Sequence, residues 1–345
     1  MTPASVPSEP APVKRSSPWL GHALTLLQVA VTLGLLWWLF HDPKRREEMW
    51  EALQMADWRW MLASFAAAGV CEFFGIIRWQ LFLRMLHIEV PLREITRLFF
   101  IGAFFNQFLP GTTGGDVVRV IYLMRDHPEH KTEGLLSVAV DRLLAVLVLV
   151  IIGLVFAWTR DDWFAQSVLV GNSMKWFTIT LIGMALGLIA SFVLTGRHMI
   201  ARLPARLPFR AQIVKLSRIW QLCLENRREA LLGTLYTVPM LFAYFAAFSF
   251  AARAFSPKIS LWDMTSLMPL ITAISSLPVT VNGMGLREVY LEQCLQALCG
   301  VSSGMGVLIS IAGAAVYLLW GLVGGVFYLE RICRRYRPVS ESSRQ

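Results

Sequence analysis

Residues 109–115 read LPGTTGG and residues 277–285 read LPVTVNGMG. Each run interrupts an otherwise apolar segment, the first spanning residues 96–123 and the second residues 260–298. Proline removes a backbone donor and glycine weakens a helix, so each segment is a helix split in two, broken at Pro110 and at Pro278. How those two breaks sit relative to a bilayer decides the fold. Around them the chain is built for lipid: 56% of its 345 residues are hydrophobic, 16% are charged, and the mean hydropathy is +0.54. A spanning helix needs about 20 consecutive, mostly apolar residues. Six windows meet that requirement: residues 20–40, 58–77, 135–158, 176–194, 231–252 and 304–329.

Basic residues orient these windows, because short cytoplasmic loops are enriched in Lys and Arg. The stretch from Arg197 to Arg228 holds eight of them, and Arg331, Arg334, Arg335, Arg337 and Arg344 follow the last window. Both regions are expected to be cytoplasmic. The opposite loops are poorer, with Arg160 beside Asp161 and Asp162 in one and Arg253 with Lys258 in the other. Lys44, Arg45 and Arg46 run against the bias, although Asp42, Glu47, Glu48, Glu51 and Asp57 surround them.

Parity then constrains the two split segments. Residues 96–123 lie between a helix that ends inside near Arg78 and one that starts inside near Lys131, so the segment has to enter and return. Residues 260–298 are bounded by two outer ends and form a second re-entrant hairpin from the other face. Span, span, hairpin, span recurs over residues 20–158 and 176–329. Three crossings per unit is an odd number, so the second unit is inverted, as in secondary transporters with broken helices. The expected fold is therefore an all-α integral membrane protein of six full transmembrane helices and two re-entrant broken-helix hairpins in an inverted repeat. Residues 1–18, MTPASVPSEPAPVKRSSP, read as a disordered cytoplasmic tail and not a cleaved signal. Residues 19–330 form one transmembrane domain, and residues 331–345 form a basic cytoplasmic tail. We expect a multi-pass protein of the plasma membrane (the inner membrane, in a bacterium) with both termini cytoplasmic.

Non-helical backbone at membrane depth survives where it is buried in protein or lines a wet cavity, so two breaks point to one internal cavity. After each break a helix restarts, and its unpaired N–H groups and dipole favour an anion. Gly111, Gly114, Gly115, Gly283 and Gly285 let the backbone approach a ligand closely. Charges inside a bilayer are functional candidates by default. Arg119 and Arg287 suit phosphate geometry, while Asp116 and Glu288 either hold those arginines or only cap the helix starts. Asn106, Gln107 and Asn282 either line the cavity or bond between helices. Asp141 and Arg142 read as a local pair near the cytoplasmic face, and Glu72 either faces the cavity or snorkels towards the interface. Residues 209–228 put Ile213, Leu216 and Trp220 on one face and Lys215, Arg218 and Arg228 on another, an interfacial amphipathic helix resting on anionic lipid. That charge reads as membrane electrostatics, with no nucleic-acid partner. The five cysteines form no C-x-x-C pair, and Pro128 separates His127 from His130, so no metal site or cofactor is expected.

Four stretches together resemble the transmembrane flippase-like domain of lysylphosphatidylglycerol synthases: RWQLFLR at residues 78–84, FNQFLPGTTGGDVVRV at 105–120, DRLLAVL at 141–147 and LPVTVNGMGLREVYL at 277–291. The resemblance spans roughly residues 20–330 and includes stand-alone membrane proteins. It implies movement of phospholipids or related amphiphiles between leaflets. Its motif positions here are Pro110, Gly114, Gly115, Asp116, Arg119, Pro278, Gly283, Gly285, Arg287 and Glu288. The second motif usually reads Pro-Gly-Gly where this chain has Val281, Asn282 and Gly283, which implies a stiffer second break. Only a short polar tail follows Leu329, so we expect no aminoacyl-transferase activity from this chain. Two alternatives stay open: an accessory subunit that serves a lipid-modifying enzyme, and an integral-membrane lipid-modifying enzyme. The enzyme is disfavoured because the intramembrane charges are sparse and arginine-rich, not clustered carboxylates or histidines.

The orientation is testable in a background lacking the native cysteines. A cysteine at Asp161 or Asp162 should react with a membrane-impermeant maleimide on intact cells, and one at Arg206 or Arg344 only after permeabilisation. Labelling of Asp161 and Arg344 from the same side would overturn the assignment.

Overall fold

The structure is a computed structural model that describes residues 18–109, 114–196, 210–277 and 279–335. Pro110, Gly111, Pro278, residues 197–209 and most of both tails lie outside the described residues, as do the side chains of Ile213 and Lys215. Every regular element among the described residues is helical. The chain begins with α1 (Pro18–His41) and α2 (Pro43–Gln54), which meet at a bend of 79°. Asp42 sits in the corner and accepts the Lys44 N–H at 3.0 Å, with Pro43 at the first helical position, so the sequence DPK both stops one helix and starts the next. After Asp57, which caps it in the same way, α3 (Trp58–Met85) runs for 28 residues.

The first split segment is α4 (Leu92–Phe108) and α5 (Gly114–Asp126), followed by α6 (Lys131–Thr159) and the single turn α7 (Asp161–Phe164). The second half of the chain comprises α8 (Val168–Gly196), α9 (Arg210–Glu225) and α10 (Arg227–Phe255), then the split pair α11 (Leu261–Ser275) and α12 (Leu286–Cys299), and finally α13 (Ser303–Arg335). Both breaks fall where the Pro and Gly residues place them. Five helices, α3, α6, α8, α10 and α13, are long and apolar enough to cross a membrane. A sixth crossing is reached when α1 and α2 are taken as one bent span.

The centre is α3 packed along α10, the most extensive helix pair. Ser64 Oγ donates to the Ala247 carbonyl at 2.7 Å across this seam, and Gly233 lies under the ring of the fully buried Phe82. Lipid chains are as apolar as the side chains, so such seams depend on close packing and small residues more than on the hydrophobic effect. α13 approaches α4 closely, since a Cβ on Gly324 would lie 1.8 Å from the Phe100 carbonyl oxygen. α8 is peripheral, with Trp176, Ile179, Leu186 and Ile189 exposed, as expected for a lipid-facing helix. α9 does not rest on lipid through its Trp220. That side chain is buried, donates from Nε1 to Ser191 Oγ at 2.9 Å and meets Phe192 edge-on.

The basic cluster after α1 that runs against the charge bias makes specific contacts with α12 and α13. Arg45 lies 3.3 Å from Glu292, donates to Ser303 Oγ at 2.8 Å and covers the Trp38 ring, while Glu48 accepts the Gly304 N–H at 2.8 Å. These contacts fasten α2 to the start of α13.

Gly324→Ala should destabilise the protein in detergent by about 1–3 kcal/mol, because neither backbone at this seam can yield. Gly187→Ala, where an added Cβ meets nothing within 4 Å, should be neutral or slightly stabilising. Thermal unfolding of both variants checks the contrast; equal melting temperatures would contradict it.

Candidate functional site

Each break is stitched by its own side chains. Asn106, near the end of α4, accepts the Gly115 N–H through Oδ1 at 2.7 Å and so caps the start of α5. Gly115 admits no side chain, since a Cβ there would lie 1.8 Å from the Gly102 carbonyl oxygen. In the second break Asn282 takes the left-handed conformation, with φ +49°, and is followed by Gly283 at +72° and Gly285 at +83°. Asparagine tolerates that region better than other residues with a Cβ, which explains how the motif survives without its first glycine. Gly285 N–H donates to Glu288 Oε2 at 2.5 Å, capping α12, and Val281 N–H donates to Thr32 Oγ1 on α1 at 2.9 Å. The two breaks then meet: Asn282 Nδ2 donates to Gln107 Oε1 at 3.0 Å.

Behind the first break, side chains from α3, α5 and α6 form one chain of ion pairs. Arg78 reaches Asp141 at 2.9 Å, and Asp141 also holds Arg119 at 3.2 Å. Arg119 lies 3.3 Å from Asp116, and Asp116 accepts Arg142 Nε at 2.7 Å. Arg119 is further fixed by the Trp79 ring, whose centroid is 4.6 Å from its guanidinium carbon. Behind the second break Arg287 donates to Glu288 Oε1 at 2.7 and 3.0 Å and to Ser310 Oγ at 3.3 Å. All these groups except Arg142 are buried, whereas the Arg142 side chain is 45% exposed.

The two clusters face one cavity of about 370 Å³. Its wall includes Arg78, Arg119, Arg142 and Arg287, the amides of Asn106, Gln107 and Asn282, the hydroxyls of Thr272, Ser275 and Tyr244, and Glu72. The Nε atoms of Arg78 and Arg119 are buried and make no hydrogen bond among the described residues. Among those residues no three His, Cys, Asp or Glu side chains gather closely enough to hold a metal ion. Chemically, the cavity can take an anion.

The structure distributes the expected site residues over two roles. Asp116, Arg119, Arg287, Asn106 and Asn282 reach the cavity wall. Gly114, Gly115, Gly283 and Gly285 shape the breaks, and Glu288 caps α12 while holding Arg287. Asp141 and Arg142 do not form the local pair expected from the sequence. Consecutive residues on a helix point in different directions, so Asp141 turns to Arg78 and Arg119 and Arg142 to Asp116. Glu72, left between two readings, faces the cavity. Arg78, read from the sequence as marking the inner end of its helix, instead lies buried within α3 and pairs with Asp141 on α6.

The profile of a family described as the lysylphosphatidylglycerol synthase TM region matches residues 25–325 of this chain. A UPF0104 membrane protein of Pyrococcus horikoshii is 22% identical over 334 residues, covering 90% of this chain and 96% of the relative.

Removing one member of a buried ion pair costs roughly 3–5 kcal/mol, because the other charge is left uncompensated. Asp141→Asn strands both Arg78 and Arg119 and should cut the yield of folded protein sharply. Arg142→Gln removes a half-exposed charge and should lower the melting temperature much less. Size-exclusion profiles and thermal unfolding of the two variants read this difference, and the reverse order would contradict the assigned network.

Proposed function

Because the chain belongs to the lysylphosphatidylglycerol synthase transmembrane family, we propose that it is a flippase-like transporter that moves anionic phospholipids or similar amphiphiles between leaflets. The observation that carries this reading is the arginine-walled cavity at which the two helix breaks meet. A phosphodiester headgroup entering it meets Arg142, the most exposed of the four cavity arginines, and then the amides of the two breaks. Arg119 and Arg287 supply field from fixed positions, while Asp116, Asp141 and Glu288 keep the arginines in place. Carboxylates committed to arginines serve charge compensation better than acid–base chemistry, which favours transport over catalysis.

The architecture we propose is an inverted repeat. A helix with a shorter amphipathic partner, a long span, a split pair and a closing span occur in that order as α1 to α6 and again as α8 to α13. Several helix contacts support it by recurring in both halves: α13 lies on α4 and α6 on α11, α3 on α6 and α10 on α13, with α3 against α10 at the centre. In this arrangement α4 and α5 enter from the cytoplasmic face and α11 and α12 from the other, with both termini cytoplasmic. The split helices then bring the headgroup site near the midplane, where alternating access needs it.

In proteoliposomes carrying fluorescent phosphatidylglycerol, dithionite quenching reads translocation. A hydrogen bond to a charged group contributes about 1.5–3 kcal/mol, so Arg142→Gln should slow translocation by about tenfold or more, and Arg287→Gln, which also strands Glu288, should slow it in the fraction of protein that remains folded, through the lost positive field. Arg142→Lys should restore only part of the rate, because an ammonium lacks the two-pronged contact to phosphate. Full activity in both Gln variants would rule out the headgroup site.

A further inference from the structure

The charge balance of the cavity carries one further step. Four arginines, Arg78, Arg119, Arg142 and Arg287, are served by three carboxylates, Asp116, Asp141 and Glu288, each within ion-pair distance of at least one of them. One positive charge is left over. The fourth carboxylate is Glu72, fifteenth of the 28 residues of α3 and on the wall of the same cavity. Among the described residues no cationic nitrogen lies within 4.0 Å of it. Its surroundings are Cys71 and Arg78 on α3, Asp116 and Arg119 on α5, and Asp141 with Arg142 on α6. Tyr244 on α10, Arg287 on α12 and Tyr317 on α13 complete the titratable groups, while α4 and α11 contribute only uncharged side chains. Arg119, on the same cavity wall, is already shared between two aspartates.

A cavity of this kind, among buried charges in a membrane protein, tolerates little net charge. Without ligand, ionised Glu72 balances the surplus arginine. A monoanionic headgroup brings a second negative charge, and neutrality is restored when Glu72 takes a proton from the water that enters with it. We infer that Glu72 is a proton-coupling site: a lipid with a singly charged phosphodiester headgroup and one proton occupy the cavity together and leave it together. The proton comes from the aqueous phase to which the cavity is open and returns to the opposite phase when the headgroup departs and Glu72 ionises again. A zwitterionic headgroup brings no net charge and needs no proton at Glu72, so its passage would not be coupled to protons.

This inference rests on the transporter reading, and the experiment separates the two. Proteoliposomes with fluorescent phosphatidylglycerol are assayed over a range from mildly alkaline to mildly acidic, with a pH dye inside to follow protons. Translocation by the wild type should rise by as much as about tenfold per pH unit while Glu72 is mostly ionised, accompanied by proton flux. Glu72→Gln, isosteric with the protonated acid, should be pH-independent and carry no protons; Glu72→Asp should keep the pH dependence if the Gln variant fails to fold. Wild-type translocation that is flat with pH, or a Gln variant with unchanged pH dependence and proton flux, overturns the inference and leaves the transporter reading standing. No translocation of the labelled lipid by the wild type at any pH overturns both.

Discussion

Charge compensation inside an apolar body is the constraint on which the rest of this structure depends. Four guanidinium groups cannot be carried among membrane helices unless each finds a carboxylate. Asp141, buried on α6, solves most of the problem by serving Arg78 from α3 and Arg119 from α5 at once. Asp116 extends the chain to Arg142. Because the partners come from three helices, the ion network fixes the position of the restarted helix α5 against two long spans. The position of the break, and so the shape of the cavity, follows from it.

Close backbone approach is the second requirement, and it is met by glycine at two decisive places. Gly115 lets α5 lie against α4, and Gly324 lets α13 lie against the same helix on another side. α4 is thus held by the half of the chain to which it belongs and by the half to which it does not. The hydrogen bond between Gln107 and Asn282 does the same at the level of the breaks. Movement of one split pair relative to the other would have to slide along these contacts, and the polar cavity lies where they converge.

Much of this was legible in the sequence because it follows from local rules. Apolar windows, a proline and a glycine run give the long apolar helices and the breaks, and the restarts of α5 and α12 fall within a residue or two of where the glycines end. The network was less legible because it is long-range. Nothing near Asp141 says that its partners are Arg78 and Arg119, 63 and 22 residues away in sequence. The adjacent Arg142 invites the wrong pairing. Glu288 carried a local signal, since an acid three residues after Gly285 can cap a helix, and that is where it sits. Asn282 showed as a departure from the glycine pattern, and its positive φ explains why the departure is tolerated.

In the proposed account the cavity binds an anion against the charge that its own carboxylates do not neutralise. On the proposed reading, fixed arginines set the field, the amides of the two breaks meet the headgroup after Arg142, and Glu72 adjusts the balance as a headgroup comes and goes. The most direct measurement of that account is photo-crosslinking with an anionic phospholipid that carries a diazirine on its headgroup, read by peptide mass spectrometry on the protein in native membranes. The account predicts adducts on residues of the cavity wall such as Gln107, Met240 and Tyr244. Adducts confined to lipid-facing positions such as Trp176 and Leu186 on α8, with none on the cavity wall, would contradict it.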